Sequence, residues 1–328
     1  MASPLQEFRE QMRDKQSVFK AESLGVKQMG SWRNIHYPHL LPEEAWSLNL
    51  WEGTSYQAIR HFAQAGISWS EQKHSMLSSQ VLCVNLFFPL RNHPEALKPW
   101  LASHFDVDQV VAVEFQYVGP DDRDYFNEEG NRGPGRIRAD VAIAWLDRSQ
   151  KKNVLLIKFT FAERSLGMCS QRGNPSPWRC HYSRNVVGSP HSYCHKDELG
   201  FTYWYDIMSR ESPFLQERLT LEGYCPFRYD LFALMRGQLL AHMLQEDNGN
   251  DIARAYFGVM YHADNDELLR MPHWFYRERN PLRAWPTLLK DESSFRPFTI
   301  QEMVAAMEGA LPGDLSEWRA YLKQRYGL

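Results

Sequence analysis

The stretch VLLIKFTF, residues 154–161, limits what the chain can become more than any other segment. Val154 to Ile157 form an unbroken apolar run of strand-forming residues, which reads as a buried β-strand. Lys158 interrupts it. Thr160 follows two positions later, and because strand side chains alternate with period two, the two polar groups are predicted to share one face. A charge at this point is either part of a site or a lysine whose stem lies along the strand end while its ammonium reaches water.

The flanking segments place this strand in an alternating pattern. WSEQKHSMLSSQVLCVNLFFPL, Trp69 to Leu90, has helical character and stops near Pro89. DQVVAVEFQYVG, Asp108 to Gly119, is a strand bounded by Gly-Pro, and RIRADVAIAWLDR supplies a second from about Ile137 to Leu146. Between them lies a polar, Gly/Pro-punctuated loop. CPFRYDLFALMRGQLLAHMLQ, Cys225 to Gln245, places Leu231, Leu234, Met235, Leu239 and Met243 at helical spacing, and ARAYFGVMYHA, Ala253 to Ala263, is a further strand. The core order is helix, three strands, helix, strand. Residues 1–67 read as an N-terminal extension that packs on the core, 68–263 as the core with a Cys-containing insertion at 164–224, and 264–328 as a helical C-terminal cover.

Composition removes several classes of function. The chain has 328 residues, 43% hydrophobic and 23% charged, enough for one elaborated domain. With 37 basic and 40 acidic residues the net charge is -3, so a nucleic-acid partner would have to be met by a local patch. No apolar run reaches the roughly 18 residues of a membrane span. The start, MASPLQEFREQMRDKQ, is too polar for a signal peptide. A cytoplasmic location without membrane contact is the expectation, and the oligomeric state stays open. Five cysteines, an odd number, argue for reduced thiols. Cys169, Cys180, Cys194 and Cys225 nevertheless group in the centre of the chain, with His181 and His195 adjacent. A Zn²⁺ or an iron–sulfur staple at these thiols would give a loop poor in core residues a physical support, although their spacing is looser than paired CxxC motifs.

Asp140 opens the second strand directly after Arg136 and Arg138, with Arg132 in the preceding loop. Carboxylates from neighbouring strands beside a lysine are what metal-assisted phosphodiester hydrolysis needs: the acids hold Mg²⁺, the metal polarises phosphate, and the amine neutralises developing charge. The alternative is that Asp140 caps a loop and Lys158 is a strand-end lysine. The arginines near Asp140 flank a glycine-rich stretch where backbone could approach DNA, or form a solvated basic loop.

Taken together, VVAVEFQYV, RIRADVAIAWLD, NVLLIKFTFAE, FRYDLFALMRGQLLAHML and RAYFGVMY, preceded by the SSQVLCVNLFFPL helix, resemble the PD-(D/E)XK restriction-endonuclease-like superfamily, within a bacterial restriction-endonuclease-type group. The resemblance covers roughly Ser68 to Ala263. It implies an α/β fold with a restriction-endonuclease-like αβββαβ core, a mixed sheet and helical additions at both ends. It also implies DNA as partner and Mg²⁺ as cofactor, with Asp140 as metal ligand. In that superfamily the third strand supplies an acid, any residue, then lysine. Here those positions hold Lys158 and Thr160.

Two readings follow. In one, a Mg²⁺-dependent DNA endonuclease survives with Glu163 or Glu114 as the second acid and Lys158 as the amine. In the other, Lys158 replaces the metal and the fold binds DNA or a protein partner without cutting. Arg236 and Gln238 match the group's RxQ element, and Gln80 and Asn85 are site-lining by the same resemblance; a polar helix face explains either pair equally simply.

Overall fold

The computed structural model describes residues 4–129, 136–169, 186–220, 225–227, 231–270 and 278–328. Helix α1 (Pro4–Glu22) leads into a short hairpin of β1 (Gly30–Trp32) and β2 (Ile35–Tyr37), then α2 (Glu52–Gln64) and α3 (Ser79–Phe87). The central sheet follows as β3 (Gln109–Tyr117), β4 (Ala139–Leu146), β5 (Lys152–Phe159), α4 (Leu231–Glu246) and β6 (Ile252–Tyr261). A fifth sheet strand, β7 (Phe295–Thr299), precedes α5 (Ile300–Met307) and α6 (Ser316–Tyr326).

The sheet order is β3-β4-β5-β6-β7, antiparallel across the first three strands and parallel from β5 through β7. This is the mixed sheet of a restriction-endonuclease-like α/β fold. Strand β5 sits in its middle with both faces covered, which explains the unbroken apolar run: Val154, Leu155, Leu156 and Ile157 are all buried. Leu155, Ile157 and Phe159 face a core built with α3, α5 and α6, while Val154 and Leu156 face a second core built with α4 and the insertion. Helix α4 approaches β6 closely because Gly237 has no side chain; a Cβ there would lie 2.2 Å from the Phe257 ring.

Two segments depart from the sequence reading. The first core helix is shorter than Trp69–Leu90, because Ser78 caps it by accepting from the Val81 N–H. Residues before the cap instead pair with the N-terminal segment, Leu41 N–H to His74 carbonyl at 2.9 Å and Met76 N–H to His39 carbonyl at 3.2 Å. The C-terminal segment is more than a helical cover, since β7 extends the sheet in register with β6. Pro297 hides this strand from a pattern search, and its missing donor is tolerated at an edge. Phe8 and Met12 of α1 lie within the main core, so the N-terminal extension is built into it.

One buried guanidinium ties both ends of the chain together. Arg325 of α6, fully buried, donates from Nε to Gln16 Oε1 at 3.0 Å, from Nη1 to the Asn49 carbonyl at 2.6 Å and the Tyr321 hydroxyl at 2.5 Å, and from Nη2 to Asn49 Oδ1. Gln16 returns a bond from Nε2 to the Arg325 carbonyl at 2.9 Å. Replacing Arg325 with leucine strands these oxygens without donors, so the change is expected to lower stability by about 2–4 kcal/mol in urea denaturation. A shift within about 0.5 kcal/mol would show that the network does not anchor α1.

Candidate functional site

Register brings the polar residues of three strands together. Val141 of β4 pairs with Ile157 of β5, and one step onward Asp140 stands beside Lys158. On the other side, Phe115 pairs with Val141 and Tyr117 with Ala139, so Gln116 lies opposite Asp140. The row Gln116, Asp140, Lys158 therefore crosses β3, β4 and β5 where the central strand emerges from the core. Lys158 Nζ donates to Asp140 Oδ2 at 3.0 Å, the Phe159 N–H donates to the same oxygen at 2.8 Å, and Gln116 Nε2 reaches Oδ1 at 3.4 Å. Gln116 has φ 49°, a left-handed backbone that non-glycine residues adopt rarely and that frequently marks a functional position.

The pair is half-buried, with side-chain exposures of 35% for Lys158 and 24% for Asp140. The neighbouring carboxylate holds the Lys158 ammonium above the usual lysine range, against the opposing effect of burial. Beneath it, the Cys83 thiol is pushed well up, first by burial and then by Asp140. That cysteine stays protonated and inert.

Glu163 lies in the same cleft beyond the end of β5. Its Oε2 accepts from the Thr160 hydroxyl at 3.0 Å and the Phe161 N–H at 2.8 Å, and its Oε1 accepts from the Ser79 hydroxyl. Thr160 and Lys158 both line the cleft but do different work: the hydroxyl turns to Glu163 and the ammonium to Asp140. The cavity has a volume of about 770 Å³. It is also lined by Arg9 and Arg13 of α1, Trp32 and Tyr37 of the hairpin, and His39 and His74. A second cavity of about 220 Å³ shares Lys158 and runs to Arg138 and Arg236.

The remaining residues singled out from the sequence divide. Glu114 shares the face of Asp140 but is exposed, opposite Ala142 on β4 and outside the lining of both cavities. Arg138 is exposed at the smaller cavity. Arg136 is held by Glu129 at 2.8 Å and Asp122 at 3.1 Å, which braces the loop before β4. Arg236 pairs with the buried Glu128 at 2.6 Å. Gln238 points elsewhere, donating to Ser294 Oγ at 3.1 Å beside β7, because two helical positions separate opposite faces of α4. Gln80 lines the main cavity and braces its rim through Ser68 and Ser70. Asn85 is a core junction: buried, it accepts from the Trp51 N–H and donates to the Asn49 carbonyl and the Tyr321 and Tyr326 hydroxyls. Among the described residues no three His, Cys, Asp or Glu side chains converge as metal ligands, so Cys169, Cys194 and Cys225 are not gathered into a metal site there. Cys180, His181 and Arg132 lie outside the described residues.

Arg9, Arg13, Trp32, Tyr37, His39 and His74 are the functional candidates that sequence reasoning missed. Arg9 and Arg13 did carry a signal, since a four-residue separation puts two like charges on one helix face, an arrangement unfavourable without a counter-anion. That they line the same cleft as Asp140 needs the fold.

A mixed-sheet α/β core of this order, with an acid entering from one strand and a cation from the next in a cleft at the sheet end, defines a restriction-endonuclease-like protein. The chain belongs to the family described as restriction endonuclease associating with ARP, whose model matches residues 12–327. No curated protein and no solved structure matches it.

The raised Lys158 basicity sets the sign of a pH effect. The ion pair contributes stability that is full below the ordinary lysine value of 10.5 and is lost as pH rises through the higher folded-state value. The wild-type protein is therefore expected to be more stable than Lys158→Met by a constant margin from pH 7 to about 10, a margin that shrinks in more alkaline solution. Denaturant midpoints of the two proteins across that range provide the check, and a gap that widens above pH 10.5 would contradict the pairing.

Proposed function

We propose that this protein is a nuclease-like domain of the PD-(D/E)XK type that binds DNA in the cleft, with the Lys158 ammonium standing where that superfamily holds its metal. The observation that carries the reading is the 3.0 Å contact between Lys158 Nζ and Asp140 Oδ2. Mg²⁺ demands near-octahedral oxygen ligands and a site of net negative charge. The one acid of the row is already neutralised, and a divalent ion beside it would face a half-buried ammonium a few ångströms away. Glu163, whose two oxygens take three donors, is better suited to bracing the cleft floor than to replacing the missing acid. The residues as they stand do not fit Mg²⁺.

A lysine ammonium carries three donors, of which Asp140 takes one. The rest remain for a phosphate oxygen, and the two cavities that meet at Lys158 extend this cation toward Arg138 on one side and Arg9 and Arg13 on the other. Phosphate contacts of this kind position a nucleic acid without reading its sequence. The family description supports nucleic acid as the partner class, and its wording also supports an association with a partner designated ARP. A Mg²⁺-dependent endonuclease is the competing reading, favoured by the presence of Glu163 in the same cleft as Asp140.

Fluorescence anisotropy with a DNA duplex separates the two. Binding is expected to be equal in EDTA and in Mg²⁺, and Lys158→Ala should weaken it several-fold while reducing the salt slope by about one. Cleavage of plasmid DNA in Mg²⁺ or Mn²⁺ that disappears in Asp140→Ala would overturn the reading in favour of the endonuclease.

A further inference from the structure

Part of the cleft lining holds positive charge that its neighbours only partly compensate. Arg9 and Arg13 lie on successive turns of α1 and line the 770 Å³ cleft, and neither guanidinium makes a hydrogen bond or ion pair within 4 Å among the described residues. The other cations in this cleft are paired: Lys158 with Asp140 at 3.0 Å, Arg164 with Glu267 at 3.0 Å. Burial and the mutual repulsion of Arg9 with Arg13 and Arg164 push the Arg9 guanidinium below its ordinary basicity, with Glu163 and Glu267 only partly offsetting this. Two like charges held together in a half-dry cavity cost stability unless an anion joins them.

His74 supplies an independent observation. It is 5% exposed, lines the same cavity, and both its ring nitrogens are buried with no hydrogen-bond partner among the described residues. Buried polar atoms in native proteins are nearly always paired, so a nitrogen pair left open beside two unpaired guanidiniums marks a place for a ligand oxygen. His39, next to it, is held to about 4 by burial and by Arg13, Arg9 and Lys20, and so adds a neutral imidazole at physiological pH. The rings of Trp32 and Tyr37 complete the wall, half-buried and 6.2 Å and 5.6 Å from His74 and His39 respectively. Flat aromatic faces beside an anion site are what a nucleobase and its phosphate require.

We infer that Arg9, Arg13 and His74 form a subsite for the terminal phosphate of a nucleotide, with Trp32 and Tyr37 as the surface for its base. The inference rests on the DNA-binding reading and refines it: the cleft takes a strand end, and a phosphomonoester there is recognised over a hydroxyl. An internal phosphodiester carries one negative charge, whereas a terminal phosphate carries close to two at neutral pH, which matches two guanidiniums. The N-terminal extension, anchored through Gln16 and Arg325, is then the element that distinguishes a strand end from its interior.

The test compares two single-stranded DNA oligonucleotides labelled at the 3′ end and differing only in a 5′-phosphate or 5′-hydroxyl, titrated with the full chain in EDTA. The phosphorylated strand is expected to bind about tenfold more tightly. The double change Arg9→Gln, Arg13→Gln should bring the two strands to equal affinity, Arg9→Lys, Arg13→Lys should retain part of the preference, and Lys158→Ala should weaken both strands while keeping their ratio. Equal binding of the two strands by the wild-type protein, or a preference that survives the double glutamine change, overturns the subsite and leaves the DNA-binding reading intact. If neither strand binds, the DNA-binding reading is judged by the duplex titration, and calorimetry with thymidine 5′-monophosphate decides the subsite alone: heat that vanishes in the double glutamine variant supports it, and no heat overturns it.

Discussion

The cross-strand contact between Asp140 and Lys158 is the interaction on which the character of this cleft depends. It is set by register: β4 and β5 pair with Val141 opposite Ile157 and Ile143 opposite Leu155, all four buried. Once that alignment is set, the residue before Val141 and the residue after Ile157 must stand side by side. Asp140 is then neutralised by its neighbour's ammonium, where restriction-endonuclease-like folds with an acid at this point would present two carboxylates to a metal. On the proposed reading, a lysine in place of an acid at one strand position exchanges a cation site for an anion site while leaving the scaffold in place.

The rest of the cleft is assembled from the chain ends. Helix α1 brings Arg9 and Arg13, and the hairpin brings Trp32 and Tyr37. These elements are held against the core by Arg325 and by Asn85, whose amide bonds reach Asn49, Tyr321 and Tyr326. A buried charge satisfied by neutral oxygens is an expensive anchor, and its presence at the joint between α1 and α6 indicates that the position of α1 matters. Glu163 plays the complementary part on the cleft floor. It fastens the turn after β5 to the start of α3 through Ser79, and Asn265 accepts none of this work but secures the same turn by donating to the Phe161 and Glu163 carbonyls at 2.8 and 3.0 Å.

Much of the sheet is legible in the sequence because its signals are local. The run Val154–Ile157, the Gly-Pro-bounded segment of β3 and the helical spacing of α4 each fall within one element, and each appears where the pattern places it. The proximity of Asp140 to Lys158 is legible too, since strand order and period two fix it. What is not legible depends on contacts between distant segments. Trp69 to Ser78 has helical composition but runs as successive turns, bridged at Ser75 to Leu40, a tertiary choice that propensity does not carry. Strand β7 is short and contains Pro297, so only its pairing with β6 reveals it. Asn85 and Gln238 look like site polarity because a sequence does not show which way a helix turns its side chains; one serves the core and the other the far edge of the sheet. The spacing of Arg9 and Arg13 is visible in the sequence, but nothing local indicates that α1 and the two histidines line the cleft.

The central claim is that the Lys158 ammonium occupies the place of a divalent ion, and calorimetric titration of Mg²⁺ into the wild-type protein and into Lys158→Glu tests it most directly. Lys158→Glu sets a second carboxylate beside Asp140 on the neighbouring strand, and repulsion between the two acids creates a demand for a cation. The expected result is no saturable heat for the wild-type protein and a single Mg²⁺ site in the variant. Saturable Mg²⁺ binding by the wild-type protein that is lost in Asp140→Ala would contradict the claim, and Glu163 would then be the acid that completes the site.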